Sequence, residues 1–148
     1  MIRRMRSSDI DQVYNIACLS LDEYYVLEVF SFFMAEWPSG QLVSCDPVGN
    51  IIGFICGSQL TSDKASILMF AVDPRCRNMG IGSELLQEFR RVASMDRKRI
   101  IQLEVRPSNA NAISFYEKKG FHVSEQLPNF YNNGGNAFRM VSFVLNSS

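Results

Sequence analysis

Histidine is almost missing from this chain of 148 residues: His122 is the only one, and it reads as structural. The four cysteines, Cys18, Cys45, Cys56 and Cys76, include no C-x-x-C pair. Metal sites and disulfide frameworks need imidazoles or thiols at close, patterned spacing. No metal is expected, and the cysteines read as free buried thiols of a reducing compartment. Net charge is also missing, since 15 Lys and Arg balance 15 Asp and Glu. Non-specific nucleic-acid binders neutralise phosphates and carry a basic excess, so nucleic acid is not an expected partner. The densest basic stretch, Arg97-Lys98-Arg99 after Asp96, reads as a solvated turn before a strand. Long apolar runs are absent too. The stretch Val29 to Ala35 falls far short of the ~20 residues of a membrane span. After Arg3, Arg4 and Arg6 comes Ser7-Ser8-Asp9, where a signal peptide needs its apolar segment. No membrane partner is expected, and the location should be cytoplasmic.

What is present suits one globular domain over residues 1–148, with 47% hydrophobic and 20% charged residues. Met1 to Met5 reads as a first strand. Ser8 and Asp11 make a capping-box-like start for a helix carrying Ile10, Val13 and Ala17. Asp22 can cap a second helix, with Val26, Val29, Phe30, Phe33, Met34 and Trp37 at helical spacing, stopped by Pro38-Ser39-Gly40. Leu42 to Cys45 and Ile51 to Gln59 form a predicted hairpin around Asp46-Pro47-Val48-Gly49-Asn50. Ala65 to Val72 reads as a strand buried on both faces. A helix follows from about Gly82, with Ile81, Leu85, Leu86, Phe89, Val92 and Ala93 inward. Arg99 to Val105 is a strand and Asn109 to Lys119 a helix closed by Gly120. Phe121 to Glu125 and Phe138 to Leu145 are the last strands. The order is β-α-α-β-β-β-α-β-α-β-β, and Ala65 to Val105 is one βαβ unit with parallel strands.

Between that buried strand and its helix lies Val72-Asp73-Pro74-Arg75-Cys76-Arg77-Asn78-Met79-Gly80-Ile81-Gly82-Ser83. A helix start offers unpaired N–H groups and a positive dipole end, and glycine lets backbone wrap a phosphate. The Walker loop is excluded because no Gly-Lys-Ser/Thr follows. The dinucleotide fingerprint fails because Leu85 stands where its third glycine belongs. On the two glycines alone, a diphosphate cradle and a plain turn between strand and helix stand even.

The wider pattern, Val-x-Pro-x-x-Arg-x-x-Gly-x-Gly from Val72 to Gly82, resembles motif A of the GCN5-related N-acetyltransferases. Leu103-Glu104-Val105-Arg106-Pro107-Ser108-Asn109 through Phe115-Tyr116-Glu117-Lys118-Lys119-Gly120-Phe121 resembles motif B. Its form is similar to the ribosomal-protein acetyltransferases of RimI type and to the catalytic subunit of the NatA complex. The resemblance covers essentially the whole chain. It implies a mixed α/β (α+β) fold, with a mostly antiparallel twisted sheet of about seven strands, helices on both faces and one CoA-binding βαβ unit. It implies acetyl-CoA as cosubstrate and transfer of acetyl to an amine. By the same resemblance, Phe70, Ala71 and Val72 pair their backbone with the pantetheine arm. Arg77, Asn78, Met79, Gly80, Ile81, Gly82 and Ser83 hold the diphosphate. Asn109 binds the CoA arm, and Tyr116 contacts CoA as general acid to the leaving thiolate.

Amine attack on a thioester needs a neutral nucleophile, and an α-amine ionises near 7.7–8.0, so a modest base suffices. Glu104, at the carboxyl end of its strand, matches the glutamate assigned as base in the RimI branch. Glu23, in Leu21-Asp22-Glu23-Tyr24-Tyr25, is the rival base. Tyr25 and Tyr131 match substrate-groove aromatics. The tail Phe130-Tyr131-Asn132-Asn133-Gly134-Gly135-Asn136-Ala137 departs from the family's Tyr-x-x-Gly-Glu-Asp-Ala by replacing the acidic pair with Gly135-Asn136. The implied partners are protein or peptide N-termini, with ribosome association or a homodimer as further candidates. Two other functions remain open: acetylation of lysine side chains or small amines, and non-catalytic acyl-CoA binding.

Overall fold

The computed structural model describes residues 1–21 and 26–144. Among these are β1 (Ile2–Arg4), α1 (Ile10–Ser20), α2 (Glu28–Glu36), β2 (Gln41–Cys45), β3 (Ile51–Gln59) and β4 (Lys64–Val72). They continue with α3 (Ile81–Met95), β5 (Ile100–Val105), α4 (Ala110–Lys118), β6 (His122–Leu127) and β7 (Ala137–Phe143). The strands form one seven-stranded sheet in the order β1-β2-β3-β4-β5-β7-β6. Every neighbouring pair is antiparallel except β4–β5, the parallel pair flanking α3.

Two cores sandwich the sheet. On one face Leu85, Leu86 and Phe89 of α3 meet Ile55, Ala65, Ile101, Leu103 and Met140. On the other, Val13 and Ile16 of α1 and Phe30 of α2 meet Val43, Phe54 and Met69. The six inward positions expected of α3 are all buried. Burying one such Leu or Phe contributes ~1.5–3 kcal/mol. A Cβ at Gly57 would come within 2.5 Å of the Phe89 ring, so glycine there lets α3 approach the sheet closely.

Several local expectations are corrected. The first helix is not entered through Ser8 and Asp11. A 3-10 turn, Ser7–Asp9, precedes it, and the buried Asp9 accepts from the Arg6 N–H at 2.7 Å and from the Arg3 guanidinium at 2.7 and 2.9 Å. Asp22 lies outside the described residues, and α2 begins only at Glu28, with Val26 exposed. Trp37 leaves α2 at φ −150° and packs on Phe89. Lys98 is not solvated: it is buried, donating to the Thr61 and Ser62 carbonyls at 2.9 and 3.2 Å. Only Cys56 of the four free thiols is buried, and His122 is exposed on the edge strand β6.

The strand expected to be buried on both faces is interrupted. Cys56 pairs with Met69 and Gly57 with Ile67, so Leu68 is an extra residue in β4 and stands exposed. A bulge of this kind reverses the side-chain alternation. Ala65 and Ile67 accordingly face α3, whereas Met69 and Ala71 enter the core under α1 and α2. Phe70 and Val72 are thereby turned toward α3 and α4.

Candidate active site

The parallel pair does not stay together. Rungs join Lys64 to Ile100, Ala65 to Ile101 and Ser66 to Gln102, and pairing stops there. Beyond this point Phe70, Ala71 and Val72 are laddered to β3 alone, and Leu103, Glu104 and Val105 to β7 alone. The sheet therefore opens between the carboxyl halves of its two central strands. A strand edge in such a gap keeps backbone donors and acceptors that need partners. An extended arm carrying its own amides could supply them. At the far end of this edge, Ser20 Oγ reaches the Val72 carbonyl at 3.5 Å.

The loop leaving β4 arrives at the mouth of that gap. Asp73 accepts from the backbone N–H of Arg75 at 2.9 Å and from its guanidinium at 2.9 and 3.1 Å. The Arg75 side chain, with its backbone N–H second, holds the Asp73 carboxyl down to about 2. Asn78 and Gly80 both take positive φ, 64° and 79°, and Gly80 is the N-cap of α3. That conformation suits glycine, and no side chain caps the helix. The N–H groups of Ile81, Gly82 and Ser83 are thus first-turn donors open to an acceptor from outside. A Cβ at Gly82 would stand 3.7 Å from Phe70, Val72 and Phe115, so a side chain here would enter the gap. A diphosphate at α3 and an amide-bearing arm along β4 fit these residues.

Aromatic rings line the α3–α4 side of the opening. Phe70 contacts Phe115 and Tyr116 at centroid distances of 6.1 and 6.3 Å, and Tyr116 contacts Phe121 at 5.6 Å. Tyr116 is half-buried, and its hydroxyl makes no hydrogen bond among the described residues. Desolvation, reinforced by nearby Tyr131, pushes its phenol well above the usual range. At neutral pH it is protonated and can donate. Asn109 is the N-cap of α4 rather than part of its face, and its side-chain oxygen accepts from the Ala112 N–H at 3.1 Å. Its NH₂ is the group left for a ligand.

The opposite face of the gap is charged. Alternation in β5 buries Leu103 and Val105 against α3 and turns Glu104 the other way. Glu104 Oε2 accepts from Arg139 Nε at 2.9 Å and from Gln102 Nε2 at 3.3 Å. Arg139 also reaches Glu125 Oε1 at 3.3 Å. Nearby, the Arg106 guanidinium lies 4.2 Å over the Tyr131 ring and bonds Asn133 at 3.4 Å. A Cβ on Gly135, the small residue in place of the family's acidic one, would meet the tip of the Arg106 side chain, which would have to shift. Glu23 and Tyr25 lie outside the described residues. Gln102, Arg139, Glu125 and Phe115 were given no role from the sequence. Arg139 and Glu125 join Glu104 only through strand register, whereas Gln102 lies two residues before it on the same face of β5. Phe115 could have been suspected, because it adjoins Tyr116 in the second motif.

Two other grooves, of about 260 and 950 Å³, run along the outer side of α3 and include none of these residues. Among the described residues no group of three His, Cys, Asp or Glu is placed to hold a metal, and no helix is long and apolar enough to cross a membrane.

A parallel pair that parts midway beside an uncapped helix start is the architecture of acyl-CoA-dependent N-acetyltransferases, the class to which this fold points. The chain belongs to the acetyltransferase (GNAT) family, which it matches over residues 9–121. It is 30% identical over 153 aligned residues to the N-alpha-acetyltransferase of Sulfurisphaera tokodaii, covering 95% of this chain and 91% of that protein. It is 29% identical to the putative ribosomal protein bS18-alanine N-acetyltransferase of Bacillus subtilis, over 90% of this chain and 88% of that one. Among solved structures, Ard1 from Thermoplasma volcanium superposes with a TM-score of 0.95 at 40% identity, over 99% of this chain and 98% of that chain. The enzyme is thus an acetyl-CoA-dependent N-acetyltransferase of mixed α/β fold.

Proposed function

We propose that the acceptor is the α-amine at the N-terminus of a protein or peptide. The observation that carries this reading is the gap itself, with Tyr116 and the α3 amides on one face and Glu104 on the other. Acetyl-CoA supplies the activated acetyl thioester. The N–H groups of Ile81, Gly82 and Ser83, with the loop Arg77-Asn78-Met79-Gly80, bind the diphosphate. The open edge of Phe70-Ala71-Val72 aligns the arm, and the Asn109 NH₂ adds a donor. Tyr116 holds its proton beside the departing sulfur. A phenol raised above its usual range, facing a thiol of ordinary pKa near 8.5, stabilises the thiolate first as a hydrogen-bond donor. Glu104 takes the proton of the attacking amine.

The chemistry favours an α-amine over lysine. With pKa values near 7.7–8.0 and 10.4, roughly 10% of an α-amine but under ~0.1% of a lysine amine is neutral at pH 7. The Arg106–Tyr131 stack beside Tyr116 gives the groove a wall suited to a chain end. Of the two relatives named above, one is called an N-alpha-acetyltransferase and the other a putative ribosomal protein bS18-alanine N-acetyltransferase, which supports this reading. Cytoplasmic location and ribosome association or a homodimer belong to the same proposal. The test pairs a peptide bearing a free, small first residue with the same lysine-containing peptide blocked at its N-terminus. Mass spectrometry should locate acetyl on the α-amine of the first and nothing on the second. Efficient modification of the blocked peptide would move the acceptor to lysine.

A further inference from the structure

We propose that Arg139 is a positioning residue that acts through Glu104, an inference resting on the reading of Glu104 as the base. Arg139 of β7 is the direct cross-strand partner of Glu104 in β5 and of Glu125 in β6. Three strands thus place carboxylate, guanidinium and carboxylate in one row. The inner pair is the tighter, with Nε to Glu104 Oε2 at 2.9 Å against Nη1 to Glu125 Oε1 at 3.3 Å. It is also the more sheltered, the side chains of Glu104 and Arg139 being 15% and 26% exposed and that of Glu125 53%. Solvent therefore screens the outer arm more than the inner one.

Gln102 binds the same Glu104 oxygen. Oε2 thus carries both restraints, while Oε1 accepts nothing among the described residues. A carboxylate held by one oxygen cannot rotate freely, and its other oxygen remains as the acceptor for an ammonium or a bridging water. The planar guanidinium suits this task better than an ammonium would, because one fork reaches two carboxylates in fixed directions. The side-chain bonds of Arg139 go to the two carboxylates, Glu104 and Glu125. It sets the orientation of Glu104.

A double-mutant cycle tests the inference. Arg139→Met, Glu104→Gln and the double variant are assayed for kcat and for KM toward acetyl-CoA and peptide, with acetyl-CoA-induced stabilisation confirming the fold. Arg139→Met should lower kcat by up to ~10-fold, no further than loss of the Glu104 carboxylate does, because it acts by misplacing that group. Both KM values should hold, and Arg139→Lys should recover part of the loss. On the Glu104→Gln background, Arg139→Met should cost no more than ~2-fold further, as coupled residues do. Losses that multiply in the double variant overturn the proposal, as does a lower kcat in Arg139→Met when Glu104→Gln loses nothing. That last result also removes Glu104 as base, whereas multiplying losses leave it in place. Should the methionine variant unfold, Arg139→Gln carries the same cycle.

Discussion

The two faces of the gap between β4 and β5 are built on different principles. On the α3–α4 face the ligand-facing groups are backbone amides at a helix start and the rings of Phe70, Phe115 and Tyr116. On the other face it is a side chain, Glu104, held by Gln102 and Arg139 in a row that Glu125 completes across three strands. On the proposed reading the first face binds a part common to every turnover, and backbone geometry serves that purpose without charge. The second, on the same reading, meets a variable acceptor and handles its proton, which needs titratable groups and cations to hold them. The bulge at Leu68 lets one strand serve both faces, because it turns Phe70 toward α4 while Met69 and Ala71 anchor in the core under α1 and α2.

If the faces divide the work in this way, lesions on them should separate. The largest effect is expected at Tyr116. Tyr116→Phe should slow the single-turnover chemical step by roughly 10²–10⁴-fold, the span of general acid–base catalysis. Acetyl-CoA affinity should change little, since the ring contacts with Phe70 and Phe121 persist. Equal losses in affinity and rate would make Tyr116 a binding residue instead.

Gly82→Val should act on binding alone. Saturation a hundredfold above the dissociation constant stabilises the native wild type by about 2.7 kcal/mol. In a chain of this size that is a rise of ~5–10 °C in Tm. The valine methyls, entering the space beside Phe70, Val72 and Phe115, should remove most of the rise. Differential scanning fluorimetry with and without acetyl-CoA reads it, and a valine variant that keeps the full rise would place the ligand elsewhere.

A smaller effect belongs to the charged face. Glu104→Gln should slow turnover ~10-fold near pH 7 and move the acidic limb of kcat/KM up toward the amine's own pKa near 7.7–8.0. Glu23→Gln should do less, and the reverse order would give the base to the segment before α2.

These faces were unequally legible in the sequence. The cofactor face is local: one contiguous run from Val72 to Ser83 contains its glycines, and the next motif contains Asn109 and Tyr116. The inner face of α3 was equally plain because its spacing follows a single period. Arg139 stands 35 residues from Glu104, and only the β5–β7 register brings them together. The bulge escaped because an unbroken apolar run from Ala65 to Val72 does not show where alternation reverses. Lys98 misled because a basic triplet resembles solvated surface, whereas two carbonyls of the β3–β4 turn take its ammonium inside.

The smallest expected effect lies at the loop's hinge. The Asp73 carboxyl is depressed in the folded state to about 2, below its ordinary value of 3.8. A depressed carboxyl contributes stability that is fully present above the unfolded value and is lost as pH falls through the folded one. Urea unfolding of wild type and Asp73→Asn should therefore differ by a constant amount above pH ~4.5 and converge between roughly pH 4 and 2. A difference that grows on acidification would mean that Asp73 is held for another reason.

The division of the gap into a cofactor face and an acceptor face is tested most directly by one ligand that must occupy both. A conjugate joining the α-amine of a short peptide to the sulfur of CoA through an acetyl carbon spans the opening only if the two sites meet there. Isothermal titration should show it binding at least ~100-fold tighter than CoA alone, as linked ligands do when geometry permits both contacts. A conjugate that binds no tighter than CoA would contradict the account, because the peptide would then have no site across the gap from Tyr116.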